Sequence, residues 1–78
     1  MTNMEKYEKA FIDTFGVSSN GLGELKYQDI DEWDSVGHMS LIAALEEAFD
    51  IMFDTDDIID FSGFEKGKEI LKKYNVEL

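Results

Sequence analysis

Trp33-Asp34-Ser35-Val36-Gly37-His38-Met39-Ser40-Leu41-Ile42-Ala43-Ala44-Leu45-Glu46-Glu47-Ala48-Phe49 is the stretch on which the fold of this chain turns. Leu41, Ile42, Leu45 and Phe49 recur at helical spacing and line one face, while Glu46, Glu47 and Asp50 occupy the other side. Asp34 or Ser35 supplies the N-cap. The pattern therefore predicts a helix with a hydroxyl at its very start, followed by small and apolar residues. The unpaired N–H groups of a first turn and the positive end of the helix dipole attract anions, so a phosphate ester on Ser35 would be stabilised there. Gly37 removes a side chain close to that position. On spacing alone, the commoner use of such a residue is simply to cap the helix.

Working outward, Thr2 and Glu5 have the spacing of a capping box, and Met4, Tyr7, Phe11 and Phe15 follow along one helical face of about three turns. Gly16 stands where a left-handed C-terminal cap is wanted, and Ser18-Ser19-Asn20-Gly21-Leu22-Gly23 is turn chemistry. From Glu24 to Trp33 the apolar residues Leu25, Tyr27, Ile30 and Trp33 are too irregular for a regular element. Ordered coil pinned by those side chains is expected. Beyond the central helix, the acids Asp54, Asp56 and Asp57 with Thr55 precede Ile58, Ile59 and Phe61, which predicts a short helix of a turn or two. Ser62 and Glu65 form a second capping-box pattern, opening a last helix whose face is Phe64, Ile70, Leu71 and Tyr74. The predicted architecture is all-α: a bundle of three main helices plus one short one, with a long ordered loop between the first and second helices.

The chain has 78 residues, 18 of them Asp or Glu against 7 Lys, and its net charge is −11. So acidic a chain is poorly suited to nucleic acid, which is bound through cations that displace phosphate counterions. The 44% apolar content and 13% aromatics are too high for a disordered acidic tail, and the length allows one domain, spanning 1–78. That domain buries only a little over about 60% of its unfolded surface, too little to wall off a deep active site. A binding or carrier module is favoured over a self-sufficient enzyme. Cysteine is absent, so disulfides, thiolate nucleophiles and Cys-based metal sites are excluded. The longest apolar run, Leu41 to Leu45, is far short of the roughly 20 residues that span a bilayer. No membrane insertion, a cytoplasmic location and a monomeric state are the expectations.

At Asp34-Ser35-Val36 the chain resembles the acyl carrier proteins, including the peptidyl and aminoacyl carriers, whose signature is Asp-Ser-Leu at the start of the second helix. Leu41-Ile42-Ala43-Ala44-Leu45-Glu46-Glu47-Ala48-Phe49-Asp50-Ile51 is similar to that family's second helix, and the acidic entry Asp54 to Asp57 follows at the family's distance. The resemblance covers the whole chain and is strongest from Ile30 to Phe61. Gly37-His38, in place of the acid usual in housekeeping fatty-acid carriers, points to a specialised stand-alone carrier. The resemblance implies a carrier-type bundle with 4′-phosphopantetheine attached to Ser35, flanked by Asp34, Val36 and Gly37. A phosphopantetheinyl transferase would supply the arm from coenzyme A, and the arm's thiol would hold an acyl or aminoacyl thioester. A loading ligase, acyltransferase or ketosynthase with a basic docking patch would be the partner. The resemblance also implies an apolar contact patch of Val36, Met39 and Ala43, a steering surface of Glu46, Glu47, Asp50, Asp56 and Asp57, and a sheltering cavity among Leu45, Phe49, Ile58 and Phe61. An acidic helical docking adaptor with the same fold and no arm is the alternative.

Two other constellations are weaker. Ser35 and His38 are three residues apart on one helix, but no Gly-x-Ser-x-Gly elbow, oxyanion hole or third member accompanies them. A surface or partner-contacting role is expected for His38. Asp54 to Glu65 partly follows the pattern of a calcium loop, yet Ile58 and Ile59 stand where a ligand and the turn glycine are required, leaving at most weak divalent binding by clustered carboxylates. Trp33 is expected to anchor the long loop.

Overall fold

The structure is a computed structural model describing residues 1–78. Its helices are α1 (Asn3–Phe15), α2 (Ser35–Phe49), α3 (Thr55–Asp60) and α4 (Phe64–Lys72), with a 3-10 turn at Leu22–Glu24 in the first connection. There is no sheet; one isolated antiparallel bridge joins Lys26 to Gly63.

The capping box at the head of α1 forms in both directions. The Glu5 amide donates to the Thr2 hydroxyl at 3.1 Å, and the Thr2 amide donates to the Glu5 carboxylate at 2.8 Å. Those bonds also hold the Glu5 carboxyl below its usual range, the Thr2 amide first among the causes. At the other end Gly16 is left-handed, with φ of 67°, and its amide caps Ile12. The buried face of α1 is Tyr7, Ala10, Phe11 and Phe15, with Met4 half-buried at its edge.

α1 packs chiefly against α2, which buries Leu41, Ile42 and Leu45. Between them the core is an aromatic cluster centred on Phe11, whose ring lies 5.0 Å from Phe64, 5.1 Å from Tyr7 and 5.5 Å from Trp33, centroid to centroid. Edge-on contacts of this kind add about 0.5–1.5 kcal/mol per pair to the gain from burial alone. The Tyr7 hydroxyl donates to the Phe64 carbonyl at 2.6 Å, tying α1 to the head of α4. Burial, reinforced by the negative charge of Glu65, pushes the Tyr7 phenol far above its ordinary range, so it stays a donor.

The long connection is ordered as its apolar residues predict. Leu22 and Trp33 are buried, and Leu25, Tyr27 and Ile30 pack partly buried against the core. The last helix begins differently from the Ser62–Glu65 expectation. Gly63, extended at φ −179° and ψ 172°, is the N-cap, and no side chain caps the helix. The backbone on either side of it is paired with the long loop: the Tyr27 amide donates to the Ser62 carbonyl, and the Phe64 amide donates to the Leu25 carbonyl. That pairing carries extended geometry one residue past Ser62 and leaves Glu65 to pair with Lys68 at 3.2 Å. α4 ends at Lys72, so Tyr74 packs on the core from the turn beyond it.

Candidate functional site

Every residue that positions the head of α2 comes from the long loop or the core. Trp33 is 0% exposed, stacks on Phe15 at 5.1 Å and meets Phe11 edge-on, so the residue before Asp34 is fixed. An added Cβ on Gly37 would run into the Glu32 carbonyl and come within 3.3 Å of the Phe15 ring. The space expected to open beside Ser35 is thus taken up by the loop backbone, and Gly37 is what lets the loop and the helix meet.

Asp34 is the cap: its carboxylate accepts the Gly37 amide at 2.8 Å. Ser35 is therefore the first helical residue, and its hydroxyl is not consumed in capping. The Ser35 Oγ is exposed and lies 3.3 Å from the Tyr27 hydroxyl. The amides of Ser35 and Val36 donate to no group of the chain, as first-turn geometry requires. An exposed hydroxyl thus sits beside two unpaired donors at the positive end of a 15-residue helix.

Next to Ser35 lies a hollow of about 390 Å³ lined by Tyr27, Ser35, His38, Met39, Ile58, Ile59, Phe61 and Ser62. Of its lining, Met39 is 52% and Ile59 72% exposed, and Val36, next to Ser35 in the chain, is 75% exposed. A larger hollow of about 490 Å³ beside α4 is lined mainly by charged groups, including Glu65, Lys66, Lys68 and Lys72, and holds no hydroxyl. We place the candidate site at Ser35, where hydroxyl, amides and apolar wall converge.

The sequence-predicted residues separate in three ways. Val36, Met39 and Ala43 are all exposed on α2. Ile58 and Phe61 line the hollow, but Leu45 is buried in the core and Phe49 packs partly buried against it, so neither reaches that space. Of the acids, Glu47, Asp50 and Asp56 are exposed. Asp50 is also the left-handed C-cap of α2, with φ of 53°. Glu46 is half-buried and accepts the Phe53 amide at 2.9 Å, holding the turn after α2. Asp57 does not belong to the exposed acidic face. It is buried and accepts from the Lys73 ammonium and the Tyr74 hydroxyl, because the third residue of so short a helix is turned onto the end of α4. Lys73 foremost, and then Tyr74, hold the Asp57 carboxyl below its usual range. No cluster of three or more His, Asp or Glu side chains is arranged to hold a metal ion.

His38 is not paired with Ser35. Both of its ring nitrogens are engaged, one by the Trp33 indole and one by the Ile58 carbonyl. Tyr27, His38, Ile59 and Ser62 belong to the site without having been placed there by the sequence reading. For Ile59 a signal existed: with Ile58 and Ile59 adjacent on a helix of six residues, both cannot face inward. For Tyr27 and Ser62 none did, because long-range backbone pairing brings them in.

No family model matches the chain, and neither a curated protein nor a solved structure matches it. No helix is long and apolar enough to cross a membrane.

Proposed function

We propose that this protein is an acyl-carrier-like module that is modified at Ser35 by 4′-phosphopantetheine and presents acyl or aminoacyl groups to other enzymes. The observation that carries this reading is the Ser35 hydroxyl itself: exposed, spared from capping by Asp34, and set beside the unpaired amides of Ser35 and Val36. Those amides and the helix dipole suit a phosphodiester on that oxygen. In the modification step, Ser35 Oγ bonds to the pantetheine-side phosphorus of coenzyme A, and the bond from that phosphorus to adenosine bisphosphate breaks. The Ser35 proton passes to a base on the transferase. When attached, the arm supplies the thiol that a chain without cysteine lacks.

The remaining work falls to the chain's own surface. Val36, Met39 and Ala43 offer a small apolar contact, joined from α3 by Ile59. Glu47 lies twelve residues along α2 from Ser35, roughly 18 Å at 1.5 Å per residue, so the acids there steer a basic partner without crowding the hydroxyl. Loading ligases, acyltransferases and ketosynthases with basic docking patches are the partner classes this surface suits.

Intact-protein mass after incubation with coenzyme A, magnesium and a broad-specificity phosphopantetheinyl transferase tests the proposal. One phosphopantetheine added to the wild type and none to Ser35→Ala is the expected result. No addition to a folded wild type favours the docking adaptor, which uses the same surface without an arm.

A further inference from the structure

The three tyrosines of the chain use their hydroxyls differently. Tyr7 gives its hydroxyl to the Phe64 carbonyl, and Tyr74 places its own between the Asp57 carboxylate and the Asp54 amide, so both are spent on the fold. The Tyr27 hydroxyl has a single partner, Ser35 Oγ at 3.3 Å, and either oxygen of that pair can supply the hydrogen.

Tyr27 is held in place without that bond. Its amide donates to the Ser62 carbonyl at 2.9 Å. The residues beside it are fixed as well, Lys26 by the bridge to Gly63 and Gln28 by donating its amide to the Trp33 carbonyl at 3.1 Å. Its ring meets Trp33 edge-on at 6.3 Å and His38 at 5.4 Å, centroid to centroid. Backbone and ring together aim the hydroxyl at the head of α2, and Tyr27 lines the hollow with Ser35.

We propose that Tyr27 is a positioning residue for a phosphate on Ser35: its hydroxyl donates to the phosphate and holds it at the edge of the hollow that the two residues share.

The inference rests on the reading of Ser35 as the phosphodiester site. Modification replaces the one hydrogen of Ser35 Oγ by phosphorus, so that oxygen can no longer donate and the Tyr27 hydroxyl becomes the donor of the pair. The other oxygens of the phosphate are two bonds from Oγ, close to a hydroxyl that already bonds to it. No lysine lines the hollow, and Asp34 precedes Ser35 in a chain of net charge −11, so the surroundings give a phosphate no cation. Both ring nitrogens of His38 are engaged, by the Trp33 indole and the Ile58 carbonyl. Neutral donors are what this end of α2 offers, and Tyr27 supplies one from a side chain. A bond to a charged acceptor is about twice as strong as a neutral one, so the hydroxyl gains by the exchange.

The test installs phosphate directly, as phosphoserine placed at position 35 of the full chain during translation. Its outcome is separate from that of the coenzyme A labelling: absence of labelling counts against the carrier reading, while the installed phosphate still judges Tyr27. Melting temperatures are compared at about pH 8, where the phosphate is almost fully ionised, for wild type and Tyr27→Phe, each with and without the phosphate. Tyr27→Phe keeps the ring against Trp33 and His38 and removes only the hydroxyl. A packing role alone would make the two changes additive. The change in melting temperature on phosphorylation should instead be more favourable in the wild type by about 2 °C or more. In the wild type alone, the Tyr27 ring carbon that bears the hydroxyl should shift in the carbon spectrum on phosphorylation, while those of Tyr7 and Tyr74 stay put. That reading stands even where the variant fails to fold. Equal effects of the phosphate in the two chains, or a Tyr27 carbon that ignores it, overturn the assignment.

Discussion

At the scale of single residues, Gly67 shows how tightly the core is specified. It sits in the middle of α4, where glycine costs about 1 kcal/mol relative to alanine, so a surface view of the helix would recommend the exchange. Its missing side chain is filled instead by the Phe61 ring and the Tyr7 hydroxyl, both of which an added Cβ would strike. The same Tyr7 hydroxyl holds the Phe64 carbonyl, so a shift of Tyr7 also strains that bond. Overpacking of this kind costs about 1–3 kcal/mol or more and outweighs the gain in propensity. Gly67→Ala should lower the melting temperature by roughly 4–8 °C per kcal/mol lost in a domain of this size. A higher melting temperature in calorimetry would show that the site relaxes at no cost. Gly37 follows the same logic against the Glu32 carbonyl, and in neither case does the sequence pattern reveal which neighbour fills the gap.

Among the elements, α3 depends most on others. Six residues cannot hold a helix in water, and Asp54 at its N-cap makes no capping bond with its side chain. Its ties are the Ile58 carbonyl to His38, Asp57 to Lys73 and Tyr74, and the Asp54 amide to the Tyr74 hydroxyl at 2.9 Å. The Asp57 carboxyl titrates below its unfolded value, with Lys73 the main cause, and Lys73 in turn titrates above its own because of Asp57. A depressed acid stabilises the fold above its unfolded value of about 3.9 and loses that contribution as pH falls through the lowered one. The raised lysine contributes below about 10.4 and loses its share as pH rises through the higher value. The stability difference between wild type and Asp57→Asn should therefore be level from about pH 5 to pH 10 and shrink towards pH 3. Urea unfolding midpoints of both chains across that range check it, and a difference that is constant down to pH 3 would contradict the assigned role of Asp57. α1 and α2 stand at the other extreme. Their caps and apolar stripes are local, which is why a Thr2–Glu5 box, a left-handed Gly16 and the Leu41–Ile42–Leu45 face could be read directly from the sequence.

For the molecule as a whole, charge is the governing quantity. A net −11 is held within a radius of gyration of 11.2 Å, and three of the seven lysines, Lys9, Lys68 and Lys73, are paired with acids. The Debye length is about 30 Å at 0.01 M salt and about 10 Å at 0.1 M, so at low salt every carboxylate repels every other across the whole fold. Raising salt from about 10 to about 150 mM should lift the melting temperature by several degrees, and magnesium should do so at lower concentration. Calorimetry showing a melting temperature indifferent to both would mean that the repulsion is already balanced. What the sequence determined alone was whatever depends on near neighbours: the helical class, three main helices and a short one, a pinned first connection, the N-terminal start of α2 and Ser35 at its head. The tertiary structure alone decided that Gly63 displaces the Ser62–Glu65 box, that Asp57 turns inward, and that the space beside Ser35 is walled by Tyr27, His38, Ile58 and Phe61, with Leu45 and Phe49 elsewhere. The physical reason is one of range. Caps and stripes are settled within a turn or two of helix, whereas His38 finds Ile58 twenty residues away, and Tyr27 and Phe64 find their backbone partners farther still, only once the aromatic core has drawn α3 and the long loop together.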